Sequence, residues 1–305
     1  MQKSSYIFIA ILSISMSSPS FARVRNFETT RLKSTAGAGV GSLLVNESVI
    51  SNPGSLSFFN ISSIYLQKES MQLKNEDTGI EAHNKHFKKQ SDNFGVIVAD
   101  SSNSIKGALG YIQQQEGYEK RKRVSAAAAM MLGKNSSLGT TYHYTEDINF
   151  PEGRSTYEEK YHQVTFGATH VIDTWLSFGV VFVDPFKAHS ADSKLLLGTQ
   201  IVISDIVAIM LDGGGNYSEN MTDSLLYRAA LQVNFIGSLY LRGGVFDDRS
   251  LSERGFGYGV GWITPNLVFD LAMKTTKSTN DHPTYNYLKL NNKLSELSFA
   301  LTYRF

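Results

Sequence analysis

The 305-residue chain has no cysteine, only six prolines and no apolar run long enough to cross a bilayer as a helix. Lack of cysteine rules out disulfides, thiolate metal sites and a lipid-modified N-terminal cysteine, and it suits passage through an oxidising periplasm. The longest apolar stretches, Val164 to Ile172 and Leu176 to Val183, are short or interrupted. That excludes a helical span but not a barrel, whose strands need about ten residues with every second one apolar. A charge imbalance is missing too: 29 basic residues face 28 acidic ones, and Lys3 is the only charge in the first 22 positions. No global field is present to gather nucleic acid.

What is present starts at the two ends. Lys3, an apolar stretch from Tyr6 to Ile14 and Ser20-Phe21-Ala22 have the order of an export signal, with cleavage predicted after Ala22. At the other end, Leu297, Phe299, Leu301, Tyr303 and Phe305 alternate with Ser298, Ala300, Thr302 and Arg304, so one face of a strand is apolar and the other polar. Such a strand with an aromatic last residue resembles the closing strand of a bacterial outer-membrane barrel. On its own it also fits the final strand of a soluble antiparallel sheet.

Between the ends, the pattern predicts about fourteen strands from Ile61 onward, each of barrel-strand length. Leu225, Tyr227, Ala229, Leu231, Val233 and Phe235 oppose Leu226, Arg228, Ala230, Gln232 and Asn234; Phe256, Tyr258, Val260 and Trp262 oppose Gly255, Gly257, Gly259 and Gly261. Connections alternate in length. Short turns are expected at Ser102-Asn103, Asn135-Ser136, Asp173-Thr174, Ser204-Asp205, Ile236-Gly237 and Pro265-Asn266. Longer loops are expected at Leu73 to Asp92, Glu116 to Lys120, Phe150 to Tyr157, Asp184 to Ser193, Ser218 to Asp223, Asp247 to Glu253 and Lys277 to Lys293. Outer-membrane barrels have short periplasmic turns, long outer loops and an even strand number. The expected organisation is an export signal over 1–22, an N-terminal plug over 23–60 and a transmembrane antiparallel β-barrel over 61–305.

The plug expectation rests on a segment rich in Gly, Ala and Ser that ends in a turn signal at Asn52-Pro53 and is too short to form a domain alone. The run GAGVGSLLVNESVISNPGSLSFF resembles the N-terminal segment of the long-chain fatty-acid transporter superfamily (the FadL/TodX group), where a Gly/Ala-rich stretch leads to an Asn-Pro-Ala-type motif. The stretches SLYLRGGVFDD, GFGYGVGWITPNLVFDLAMK and SELSFALTYRF resemble its last strands. Gly54 stands where that family more often has Ala, and the chain is shorter than the well-known fatty-acid transporters. The resemblance implies passive movement of hydrophobic or amphipathic small molecules. The alternatives are a barrel that anchors a secretion or surface complex, and a water-filled porin.

Several residue groups invite a chemical reading. Glycines 255, 257, 259 and 261 mimic a phosphate loop, but a strand rather than a helix follows, so they read as room on an inner wall for a plug or solute. Arg228, Arg242, Asp270, Lys274 and Arg304 fall on inward positions, where they can pair across strands or with plug residues such as Glu47; Arg228 and Arg242 are also candidates to hold a carboxylate. Lys120, Arg121, Lys122 and Arg123 form a basic run at the outer end of a strand, which can meet lipopolysaccharide phosphates or stand as a solvated loop cluster. His143, His162 and His170 lie on adjacent strands without a Ser or Asp at a spacing that completes a nucleophilic set. The chain is therefore read as a non-enzyme with no cofactor, no metal and no nucleic acid. Its partners are outer-membrane lipid, lipopolysaccharide and a hydrophobic solute.

Overall fold

In the computed structural model, residues 26–75, 93–101, 104–116, 119–150, 156–281 and 289–305 are described. The expected export signal, the turn at Ser102-Asn103 and most of the loop from Leu73 to Asp92 lie outside them. Fourteen strands follow the N-terminal segment: β1 (Ser63–Asn75), β2 (Asn93–Asp100), β3 (Ile105–Glu116), β4 (Glu119–Leu132), β5 (Ser136–Asn149), β6 (Tyr157–Asp173), β7 (Leu176–Val183), β8 (Lys194–Ile203), β9 (Val207–Asn216), β10 (Leu225–Ile236), β11 (Leu239–Asp248), β12 (Glu253–Ile263), β13 (Leu267–Asp281) and β14 (Lys289–Arg304). Each pairs antiparallel with its sequence neighbours, and β1 pairs with β14 from Ser63 opposite Arg304 to Asn75 opposite Asn292. The sheet is thus a closed barrel without an edge, the condition for strands to cross a bilayer. Phe305 continues this seam beyond β14, donating its N–H to Ser62 O at 3.0 Å and accepting from Ser62 N–H at 3.2 Å.

The period-two pattern divides inside from outside. On β12 Phe256, Tyr258, Val260 and Trp262 are exposed on the outer surface while Gly257 and Gly261 are buried, and on β13 Leu271 is exposed between buried Asp270 and Ala272. Trp175, Phe235, Trp262, Tyr303 and Phe305 stand exposed near the rim that carries the short turns, and Tyr157, Phe182 and Tyr227 near the opposite rim. Leucines such as Leu109, Leu138, Leu197, Leu211 and Leu271 face out between them. An apolar band flanked by aromatic girdles is the outside of a membrane-spanning barrel.

Two expected outer loops are shorter than read. β13 runs to Asp281 and β14 starts at Lys289, and β3 and β4 pair up to Glu116 opposite Glu119. Backbone pairing continues with polar side chains once strands leave the apolar layer, so polarity alone misplaces their ends.

Residues 26–60 lie within the barrel. They comprise a short helix, α1 (Thr30–Ser34), and two 3-10 turns, Asn46–Val49 and Pro53–Phe58. Three apolar clusters join this segment to the wall: Val49 and Leu56 with Tyr65, Ile97 and Ala129; Ala38 with Met210 and Ala230; Val40 with Val181, Leu196 and Leu226. The barrel's core is therefore shared between wall and plug. Each buried Val or Leu contributes about 1.5–3 kcal/mol.

Candidate functional site

Glycines in the wall let the plug backbone approach. A Cβ at Gly167 would collide with Asn52 Oδ1, one at Gly179 with the Val40 carbonyl, one at Gly244 with the Thr35 carbonyl and one at Gly257 with the Lys33 carbonyl. A Cβ at Gly198 would stand 2.7 Å from Gly41 N. Gly139 lies opposite Gly167, Gly179 opposite Gly198 and Gly244 opposite Gly257, so facing pairs on adjacent strands form the cradle. Side-chain atoms are absent where main chain meets main chain.

Polar contacts then fix the position. Asn52 Nδ2 donates to Val40 O at 2.7 Å, to Thr169 Oγ1 at 3.0 Å and to Ala168 O at 3.2 Å, while its Oδ1 accepts from Gly54 N at 3.0 Å. The same side chain caps the Pro53–Phe58 turn and holds it to β6. Ser137 Oγ donates to Gly54 O at 2.6 Å. Asp212 on β9 accepts from Gly39 N at 2.8 Å and from Val40 N at 3.1 Å. Arg228 Nη1 donates to Gly37 O at 3.0 Å, where a φ of +85° turns the chain out of α1.

The remaining inward charges are largely used up in pairing. Arg242 bonds Asp270 Oδ1 at 2.5 Å and Gln232 Oε1 at 2.8 Å. Lys274 bonds Glu28 at 2.6 Å, and Arg304 is half-buried on the inner face. Glu47 lies 3.4 Å from Thr29 Oγ1. Strand alternation splits the basic run: Lys120 and Lys122 are on the outward phase of β4, whereas Arg121 and Arg123 face the lumen. Arg121 forms a two-pronged bond to Asp147, with Nε at 2.7 Å and Nη2 at 2.6 Å; Arg123 Nε bonds Thr145 at 2.9 Å.

Sequence reading missed the partners of Lys33. This α1 residue is 4% exposed and contacts Glu69 of β1 at 3.0 Å and Glu296 of β14. Burial works against its charge, but Glu296, Glu69 and Glu28 outweigh it and hold the ammonium above the ordinary lysine range. Also missed was Ser125, which register places opposite His143 with Oγ 2.8 Å from Nδ1. Thr165 Oγ1 is 3.4 Å from the other ring nitrogen, so His143 spans hydroxyls on two neighbouring strands. His162 and His170 face outward, against Tyr142 and Ser136.

A cavity of about 110 Å³ lies between plug and wall. Phe27, Leu32, Val40 and Ile50 of the plug and Ile112, Val183 and Leu196 of the wall give it apolar surface. Arg123, His143, Gln163, Asp192, Lys194 and Arg228 add polar groups to the lining. The outer loop 184–193 reaches it through Asp192. Asp184 accepts from His189 N at 2.7 Å and Ala188 N at 3.0 Å, His189 stacks on Tyr161 with ring centroids 4.7 Å apart, and Asp192 accepts from Gln163 at 3.3 Å. A space of this size compares with the roughly 150 Å³ apolar cavity that accepts benzene.

No protein-family model matches the chain, and no curated protein matches its sequence. Among solved structures, the Ralstonia pickettii toluene transporter TbuX superposes with a TM-score of 0.69 at 10% identity, covering 92% of this chain and 99% of that one. The Pseudomonas putida toluene transporter TodX gives a TM-score of 0.66 at 10% identity, with 92% and 98% covered. A Pseudomonas aeruginosa FadL homologue gives 0.58 at 11% identity, with 90% and 98% covered. The closed fourteen-stranded barrel enclosing an N-terminal segment thus shares its fold with TbuX, TodX and the FadL homologue.

Proposed function

We propose that this chain is an outer-membrane channel through which hydrophobic or amphipathic small molecules move passively. The observation that carries the reading is the cavity between plug and wall, lined by both apolar and charged side chains, Asp192 of loop 184–193 among them. A small molecule with an apolar body and one polar end fits such a lining. TbuX and TodX, similar in fold, are described as toluene transporters. In this reading residues 1–22 direct export, residues 23–60 act as the hatch, and Lys120 and Lys122 face lipopolysaccharide phosphates at the outer rim. A plug packed into the wall weighs against a water-filled porin.

The test loosens the hatch at Asn52-Pro53. Replacing both by Gly removes the Asn52 bonds to Val40, Ala168 and Thr169 while leaving the strands intact. Uptake of a hydrophobic dye should change, or small-ion conductance in planar bilayers should appear, in a normally inserted barrel. Unchanged uptake and conductance with loss of a bound protein would favour the scaffold reading. Free ion conductance by the unaltered protein would favour the porin.

A further inference from the structure

Thirteen of the barrel's neighbouring strand pairs are consecutive in sequence, but β1 and β14 come from opposite ends of the chain. Their pairing has no hairpin turn to set it up and closes the longest loop in the molecule. Its inner face also carries a charge conflict. Glu69 lies opposite Ser298 and Glu296 opposite Met71, which makes the two carboxylates diagonal neighbours, 3% and 4% exposed. Like charges so placed and so buried oppose strand pairing.

Helix α1 answers both difficulties. Lys33 contacts Glu69 on one strand and Glu296 on the other. Three residues earlier, Thr30 N–H reaches Gln67 Oε1 at 2.9 Å and Tyr65 OH at 3.0 Å on β1, while its hydroxyl lies 2.7 Å from Ser298 Oγ on β14. Two residues of one helix thus each touch both strands of the seam. With Glu28 on Lys274, the cluster holds three carboxylates and two ammonium groups.

We propose that α1 is the keystone of barrel closure: it staples the first strand to the last, so that seam pairing and docking of this part of the plug are one event. The proposal stands apart from the transport reading. It implies that α1 stays in place while solute passes and that any hatch movement is confined to the plug beyond it.

Hydrogen exchange on the inserted protein tests this in K33M. Amides of β1 and β14 should exchange about a hundredfold faster, as expected for breaking a buried ion pair, with β8 and β9 unchanged. K33M/E69Q removes one charge of each sign, which returns the cluster to its original net charge and leaves Glu296 without a like-charged diagonal neighbour, so protection of the seam should return. Equal loosening of all strands, no change in K33M, or no recovery in K33M/E69Q would overturn the proposal. If K33M fails to insert, insertion of K33M/E69Q supports the keystone, and failure of both variants overturns it.

Discussion

At Gly179 a single hydrogen in place of a methyl group decides whether the Val40 carbonyl can rest against the wall. The expected effect of G179L is therefore local. The plug is pushed from β7 at an overpacking cost of about 1–3 kcal/mol, while the lipid face keeps its side chains. Bilayer recordings should detect new ion conductance in a barrel that still gives a β-rich circular dichroism spectrum. G213A is the control, because a Cβ at Gly213 meets nothing within 4 Å, and it should conduct like the unaltered protein. Conductance that is identical in G179L would separate the glycine from plug docking. The use of Gly257 was legible because it alternates with outward aromatic residues, whereas Gly261 makes room for the Arg242–Asp270 pair of the wall rather than for the plug. Arg121 and Arg123 were not, since four adjacent basic residues read as one patch until strand phase sends alternate members inward.

Elements were legible to the extent that they repeat a period. β10, β12, β13 and β14 announce themselves by alternation, and the closing role read from the last strand agrees with the bonds of Phe305 to Ser62. Residues 26–60 have no period, and their composition indicated a packed segment without revealing its contacts. The Lys33, Glu69 and Glu296 cluster joins positions up to 263 residues apart, so no local spacing could disclose it. The available hint was a carboxylate on the inward phase of two strands whose outward phase is apolar: Glu69 beside Ile64 and Leu66, Glu296 beside Leu297 and Phe299. At this scale the test is removal of Phe305, which deletes two backbone bonds of the seam and one exposed aromatic at the rim. The amount of protein recovered in outer-membrane fractions should fall severalfold, without a comparable fall for removal of the loop residue Phe186. Undiminished recovery would mean that β14 pairs and inserts without its terminal aromatic.

For the whole molecule, closure makes stability cooperative in a way that a soluble sandwich with free edges is not. Each strand bonds two neighbours, and opening any pair inside lipid leaves a row of N–H and C=O groups with no water to receive them. The plug adds a second layer, since its apolar residues complete three clusters that the wall alone leaves half-built. Unboiled protein should migrate as a compact form on a detergent gel and shift only on heating, with a β-rich spectrum lost over the same range. A variant lacking residues 26–60 has neither the inner clusters nor the Lys33 contacts across the seam, so it should show no compact form, or one lost at a much lower temperature. Equal shift temperatures with and without the segment would place barrel stability in the ladder alone and remove the plug from its core. No compact form without it would make the plug a condition of closure rather than a filling added afterwards.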